Sequence, residues 1–152
     1  MIKKIFILIT ILFFTGCGYE SIYINKNNSV IKISNINTNG DDQINKKIIS
    51  MTGLSLTKDI SNSYSLIIKS KKEKVVAAKN SSGDVTAYKM LLNIKISLAD
   101  PLNNKIIKSK EFNSSFIYNN ADNKFQLSQD EKNIINNLIE TVSGKILIYL
   151  NS

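Results

Sequence analysis

The clearest pattern in this 152-residue sequence is an alternation of apolar and polar positions over residues 88–98. The apolar members are Tyr88, Met90, Leu92, Ile94, Ile96 and Leu98. Because successive side chains of a β-strand point to opposite faces, this spacing predicts a strand with one buried face and one solvated face. Lys89, Asn93 and Lys95 fall on the solvated side.

Turn signals predict three more strands around this one. Residues 80–84, with the sequence NSSGD, have hairpin composition and connect it to a strand predicted over residues 63–78. Pro101 sits at the second position of the next turn, which leads to a strand over residues 105–118. A short alternation over residues 30–36 predicts the first strand of the chain.

Apolar residues at helical spacing predict two helices. The first stripe comprises Ile44, Ile48 and Met51, and the second comprises Ile135, Leu138, Ile139, Val142, Ile146 and Tyr149. Asp41 or Asp42 can cap the first helix, and Gly53 can end it. Ser128 and Glu131 have the spacing of a capping box and predict the start of the second helix.

The predicted order is therefore strand, helix, three antiparallel strands, helix. Segregated strands and helices of this kind favour an α+β fold. We expect a two-layer sandwich in which two helices pack on one face of a mixed four-stranded sheet. Residues 29–152 are expected to form this single domain, which is a typical length for one.

The N-terminus has the pattern of a bacterial lipoprotein signal peptide. Lys3 and Lys4 precede an apolar run over residues 5–14, which ends at the small residues Thr15 and Gly16 and then Cys17. The run is shorter than the roughly 20 apolar residues that a membrane-spanning helix needs.

We therefore predict cleavage after residue 16, acylation of Cys17, and a tether over residues 17–28. An alternative for Cys17 is a buried free thiol or an unpaired cysteine of a secreted chain. Acyl chains on Cys17 would anchor the protein to a membrane, since two or more chains hold a protein on a bilayer stably.

Composition argues against catalysis. The chain has no histidine, so the commonest metal ligand and general base is missing. No nucleophile or phosphate-loop motif is present, and a hydrolase with an acid pair or a Ser/Lys dyad has no motif to support it. We expect no enzymatic activity, no cofactor and no metal site.

The formal net charge is +8, and every positively charged side chain is a lysine because the sequence contains no arginine. A basic balance favours anionic partners. Beyond the inner membrane these would be phosphate-bearing lipids rather than nucleic acid, and no interleaving of aromatic and basic residues suited to base stacking is present.

Several motifs, in order, resemble a known family. They are Cys17-Gly18-Tyr19, the hairpin sequence SGDVTAYKM at residues 82–90, Leu98-Ala99-Asp100, Phe112 with residues 116–118, and a capped terminal helix that ends in ILIYL at residues 146–150. Their order and spacing over nearly all of the mature chain resemble the lipopolysaccharide-assembly lipoprotein family LptE.

The resemblance implies a protein on the inner leaflet of the outer membrane, inside the β-barrel LptD, as a plug and assembly factor that helps to deliver lipopolysaccharide to the cell surface. Gly18, which is not aspartate, is consistent with export to the outer membrane. By position, the family's lipopolysaccharide contacts correspond to Lys79, before the hairpin tip, and Lys110, on the following strand.

Two alternatives stay open. Lys79 and the lysines of the preceding strand can equally be the solvated face and the protected edge of that strand. The whole protein can also be a free-standing envelope lipoprotein that binds a small ligand or acts as an adaptor for another envelope protein.

Overall fold

The computed structural model describes residues 31–152, which form six elements. In chain order they are β1 (Ile33–Asn39), α1 (Asp42–Thr52), β2 (Tyr64–Lys79), β3 (Val85–Ala99), β4 (Ile106–Asn119) and α2 (Lys124–Leu150). The predicted α+β architecture, with its order of strand, helix, three strands and helix, is confirmed.

The four strands form one mixed sheet in the order β1-β2-β3-β4. β1 runs parallel to β2, whereas β2 with β3 and β3 with β4 are antiparallel. β1 pairs only with the first part of β2, as far as Lys69. The rest of β2 and the whole of β4 are therefore free edges within the part of the chain that the structure describes.

The core lies between one face of the sheet and the two helices. The alternation on β3 is confirmed, because Met90, Leu92, Ile94, Ile96 and Leu98 are all buried. Four residues of the predicted α2 stripe are buried in this core: Leu138, Ile139, Val142 and Ile146. Burial of this apolar surface is the main source of the free energy that holds the two layers together.

The ends of α1 are as predicted. Asp41 Oδ1 accepts hydrogen bonds from Gln43 N at 3.0 Å and Ile44 N at 3.2 Å. Gly53 follows the helix in the left-handed region, with φ of 63°. One stripe residue is misplaced, since Met51 is 42% exposed and Thr52 is buried in its stead.

The start of α2 was predicted wrongly. The helix begins at Lys124, one turn before Ser128, and its cap is Asn123. Asn123 Oδ1 accepts from Phe125 N and Gln126 N, both at 3.1 Å. Glu131 does not complete a capping box, because its carboxylate binds side chains from the sheet.

β1 also differs in extent from its prediction. It reaches Asn39, beyond the predicted end at residue 36, so that Asn37 and Asn39 belong to the strand. Asparagine is a poor strand former, but these residues pair with Ile67 and Lys69 of β2, and the neighbouring strand overrides local propensity.

Candidate functional site

Cys17, the predicted site of lipid attachment, lies outside the described residues. The two lysines predicted to contact lipopolysaccharide lie within them, and both are exposed. Their surroundings differ.

Lys79 is the last residue of β2 and pairs with Val85 at the start of β3. The turn that follows it is held by Asn80, whose Oδ1 accepts from Ser82 N at 3.0 Å and Asp84 N at 2.8 Å. Lys79 has no ion-pair partner among residues 31–152. Its ammonium group is therefore a free cation at the base of a well-ordered hairpin tip.

Lys110 belongs to a group of four side chains at the other end of the sheet. We call this the basic aromatic cluster; it comprises Lys108, Lys110, Phe112 and Tyr149. Alternate residues of β4 share a face, so both lysines project on the side of the sheet that carries α2.

Aromatic rings hold both ammonium groups of this cluster. Lys108 Nζ lies 4.3 Å from the centroid of Tyr149, and Lys110 Nζ lies 5.2 Å from it. Phe112 meets Tyr149 edge to face, with the ring centroids 5.6 Å apart. These distances are those of cation–π contacts, which attract a cation to the ring and hold it in place.

The backbone gives Lys108 a further restraint, because its Nζ donates a hydrogen bond of 3.3 Å to the carbonyl oxygen of Tyr149 near the end of α2. Burial raises the pKa of the Tyr149 hydroxyl, so the ring stays neutral at physiological pH. The cluster therefore presents two positive charges, on half-buried Lys108 and exposed Lys110, that can attract phosphate as point charges.

Lys79 and Lys110 are not brought together. Their partners on β3 are Val85 and Ile96, eleven residues apart, which corresponds to about 35 Å along a strand. One phosphate group cannot bridge the two lysines. Any ligand that contacts both must be extended along the sheet.

A network that the sequence did not reveal lies between these two lysines, on the helix-bearing face. Lys74 Nζ is 2.6 Å from Glu131 Oε1, and the Tyr118 hydroxyl donates to the same oxygen at 2.9 Å. Lys74 also lies 3.9 Å above the ring of Tyr88. These contacts fix the start of α2 to β2, β3 and β4.

The network shifts two pKa values. Burial by itself would raise the pKa of Glu131, but hydrogen bonds from Lys74 and Tyr118 and the nearby charges of Lys74 and Lys72 together lower it. Burial, together with the hydrogen bond to Glu131, raises the pKa of Tyr118 well above its usual value. The charges compensate one another, so the network is structural.

Most lysines of β2 have partners. Lys71 pairs with Glu73, Lys72 with Asp41, and Lys74 with Glu131. All three lie beyond the end of β1, where the edge of β2 is free. Charges at such an edge discourage pairing with another chain, which supports the edge-protection alternative for these lysines.

The helical layer carries a groove of about 740 Å³ between the end of α1 and the second half of α2. Met51, Gly144, Leu147 and Ile148 contribute apolar surface to it. Ser143 also lines the groove, and its buried Oγ has no hydrogen-bond partner among the described residues.

Within residues 31–152, no helix is both long and apolar enough to span a bilayer, and no three acidic, cysteine or histidine side chains are grouped as metal ligands would be. Neither the protein-family models nor the curated proteins give a match to the sequence.

Solved structures do match the fold. Rare lipoprotein B from Shewanella oneidensis has a TM-score of 0.60 at 10% identity, over 77% of this chain and 93% of that one. A minor lipoprotein from Acinetobacter baumannii has a TM-score of 0.60 at 14% identity, over 80% and 92%. An uncharacterized lipoprotein B from Nitrosomonas europaea has a TM-score of 0.58 at 15% identity, over 77% and 81%. The chain therefore has the fold of these bacterial lipoproteins.

Proposed function

We propose that this protein is a lipid-anchored subunit of the outer-membrane machinery that transports and assembles lipopolysaccharide. In this role it is held on the periplasmic side of the membrane by acyl chains on Cys17, fills an LptD-like β-barrel as a plug and assembly factor, and contacts lipopolysaccharide without catalysing a reaction.

One observation carries the proposal. The motifs that resemble LptE fall at turns and strand ends of this structure, whose fold solved bacterial lipoproteins share: residues 82–90 form the β2–β3 turn and the start of β3, and residues 98–100 lie at the end of β3. A resemblance due to composition alone would not be expected to coincide with turns and strand ends in this way.

The basic aromatic cluster supports contact with an anionic lipid. Lipid A phosphates and acyl chains need cations beside apolar surface, and the cluster supplies Lys108 and Lys110 next to Phe112 and Tyr149. Because lysine lacks the two-pronged geometry of arginine, such binding is loose and sensitive to salt.

Cross-linking and co-purification test the proposal. A photoreactive residue is placed at position 79 or 110 of the full-length protein in living cells, and position 95 serves as the control for position 110 because Lys95 is exposed on the face of the sheet opposite to Lys110. We expect lipopolysaccharide adducts from 79 and 110 and fewer from 95. If tagged protein extracted in mild detergent never brings down a large β-barrel, the proposal is wrong.

The groove between α1 and α2 favours a second candidate function. Its volume of about 740 Å³ is in the range of small-molecule sites, which suits a free-standing envelope lipoprotein that binds a small ligand. This candidate predicts a protein whose abundance is unchanged when the barrel is depleted, whereas a barrel subunit would be degraded.

A further inference from the structure

Within residues 31–152, β4 is an edge strand whose outer side pairs with no other strand, and its side-chain pattern suits pairing with a second copy of itself. Four of its large apolar side chains are more than half exposed: Ile106, Ile107, Phe116 and Ile117. They lie in two pairs, at the two ends of the strand, and Phe112 is midway between Ile107 and Ile117. In an antiparallel pair of identical strands centred on Phe112, each end meets the opposite end of the other copy.

The free edge of β2 carries charged side chains at a higher density than β4 does. Residues 70–79 carry five charged side chains in ten positions, whereas β4 carries three in fourteen. The remaining edge, β1, is short, and Leu56 bridges to it at Ile33. An unprotected strand edge is a template for pairing with another chain.

Alternate residues of β4 direct their backbone N–H and C=O groups away from β3, as pairing with another strand requires. Asn120 N donates to Thr86 O at 2.8 Å, next to the pair formed by Asn119 and Ala87. In an antiparallel ladder, hydrogen-bonded and non-hydrogen-bonded pairs alternate. Even-numbered residues of β4 therefore point their N–H and C=O groups at β3, and odd-numbered residues point theirs outward.

We propose that two copies of this protein pair antiparallel through β4, centred on Phe112, to form one continuous eight-stranded sheet. The odd residues then bond across the interface, with Glu111 opposite Asn113 of the other copy and Ser109 opposite Ser115. A pairing centred on Phe112 is consistent with these backbone directions, because both members of each hydrogen-bonded pair are odd-numbered residues whose N–H and C=O groups point outward.

The side chains are also complementary in this register. Ile117 meets Ile107, which lies at the β-bulge between β3 and β4, and the two symmetric contacts cover four exposed isoleucines. Lys110 lies opposite Ser114, so no lysine faces a lysine. A shift by one rung that centres on Glu111 would place two glutamates opposite each other, which is unfavourable.

The pairing does not depend on the proposed function. A barrel that offers its own strand to β4 would compete with the second copy, so a chain that is monomeric whenever the barrel is absent contradicts the inference while leaving the barrel role intact. Conversely, a dimer in cells that lack any co-purifying barrel supports the inference and contradicts that role.

Disulfide cross-linking tests the register. Two full-length chains with different tags are co-expressed, one with Lys110→Cys and the other with Ser114→Cys. These positions form a non-hydrogen-bonded pair, whose Cα separation of about 4.5 Å permits a disulfide. We expect a mixed disulfide between the two tags, which reducing agent abolishes.

Controls make the result specific. Lys110→Cys in both chains should give little cross-link, because the two copies of residue 110 lie about four residues apart, roughly 13 Å along the strand. Chains that keep only Cys17 report any background. A cross-link as strong between two Lys110→Cys chains as in the mixed pair would overturn the register.

Dissociation measurements test the apolar contacts. Ile117→Lys should weaken self-association of the full-length protein at least about tenfold, equivalent to about 1.4 kcal/mol. Ile148→Lys is the matched control, because Ile148 is exposed on α2, away from the edge. Equal effects of the two substitutions, or a wild-type protein that is monomeric at every concentration, would overturn the proposal.

Discussion

Two glycines in the left-handed region show how one residue can constrain this fold. Gly40 has φ of 99° and follows β1, and Gly83 has φ of 88° in the β2–β3 hairpin. A Cβ atom at Gly40 would collide with the backbone carbonyl of Ser70, whereas at Gly83 it would meet nothing within 4 Å. The backbone strain is shared, but the steric conflict occurs only at Gly40.

We predict that Gly40→Ala destabilises the protein much more than Gly83→Ala does. Gly83→Ala should lower the free energy of unfolding by about 1 to 2 kcal/mol, the cost of a left-handed alanine. Gly40→Ala should add at least about 2 kcal/mol to that cost, because β1 must separate from β2. Urea unfolding of both variants measures the difference, and similar midpoints would contradict the prediction.

Glu131 gives a prediction about pH. Because folding lowers the pKa of this carboxyl group, the ionised carboxylate contributes stability above its unfolded pKa. That contribution is lost as pH falls through the folded pKa. The wild type should therefore lose stability between about pH 5 and about pH 3 more steeply than Glu131→Gln does.

At neutral pH, Glu131→Gln should lower the free energy of unfolding by about 1 to 3 kcal/mol, since Lys74 and Tyr118 lose a charged acceptor. Glu140→Gln, at an exposed position on α2, is the control and should change it by less than about 0.5 kcal/mol. Chemical denaturation at several pH values tests both statements. Identical pH profiles for Glu131→Gln and wild type would refute them.

At the level of elements, the start of α2 illustrates how a local motif can mislead. Ser128 and Glu131 have capping-box spacing, yet Asn123 caps the helix one turn earlier. Nothing near Glu131 in the sequence signals Lys74, which lies 57 positions before it. Because the sheet places Lys74 beside Glu131, the carboxylate forms an ion pair with Lys74 and does not cap the helix.

We therefore predict that, of two substitutions near the start of α2, one destabilises the protein and the other does not. Asn123→Ala should lower the free energy of unfolding by about 1 kcal/mol, because two backbone N–H groups lose their acceptor. Ser128→Ala should leave it unchanged within about 0.5 kcal/mol, since Ser128 is exposed within the helix. Thermal or urea unfolding measures both effects. A larger loss of free energy of unfolding for Ser128→Ala than for Asn123→Ala would contradict the prediction and support Ser128 as the cap.

At the level of the whole molecule, two pairs of lysines allow the effect of where positive charge lies to be distinguished from the effect of net charge. Lys108 and Lys110 lie on the face with α2, whereas Lys69 and Lys95 pair with each other on the opposite face of the sheet. Replacing either pair by glutamine removes two positive charges. Only the first replacement removes the cations of the basic aromatic cluster.

Lys108→Gln with Lys110→Gln should weaken binding to lipopolysaccharide at least about tenfold at low salt, since each lysine near an anionic surface contributes about 1 kcal/mol. Lys69→Gln with Lys95→Gln should weaken it much less. Titration with lipopolysaccharide dispersions at two salt concentrations measures both. Equal losses would show that net charge, not the cluster, governs binding.

The sequence by itself determined the fold class, because period-two alternation on β3 and the apolar stripe on α2 each specify one buried face. It also limited the cap of α1 to Asp41 or Asp42 and placed its stop at Gly53, because both signals depend only on neighbouring residues. These signals are local, so they can be read without knowing what lies opposite each element.

Only the tertiary structure decided which side chains meet. The contacts of Lys74 with Glu131 and of Lys110 with Tyr149 join residues far apart in the chain, and the distance of about 35 Å between Lys79 and Lys110 follows from strand register. Register depends on how whole strands pair and is invisible in either strand alone. For the same reason, only the paired sheet revealed that β4 is an unprotected edge of the part of the chain that the structure describes.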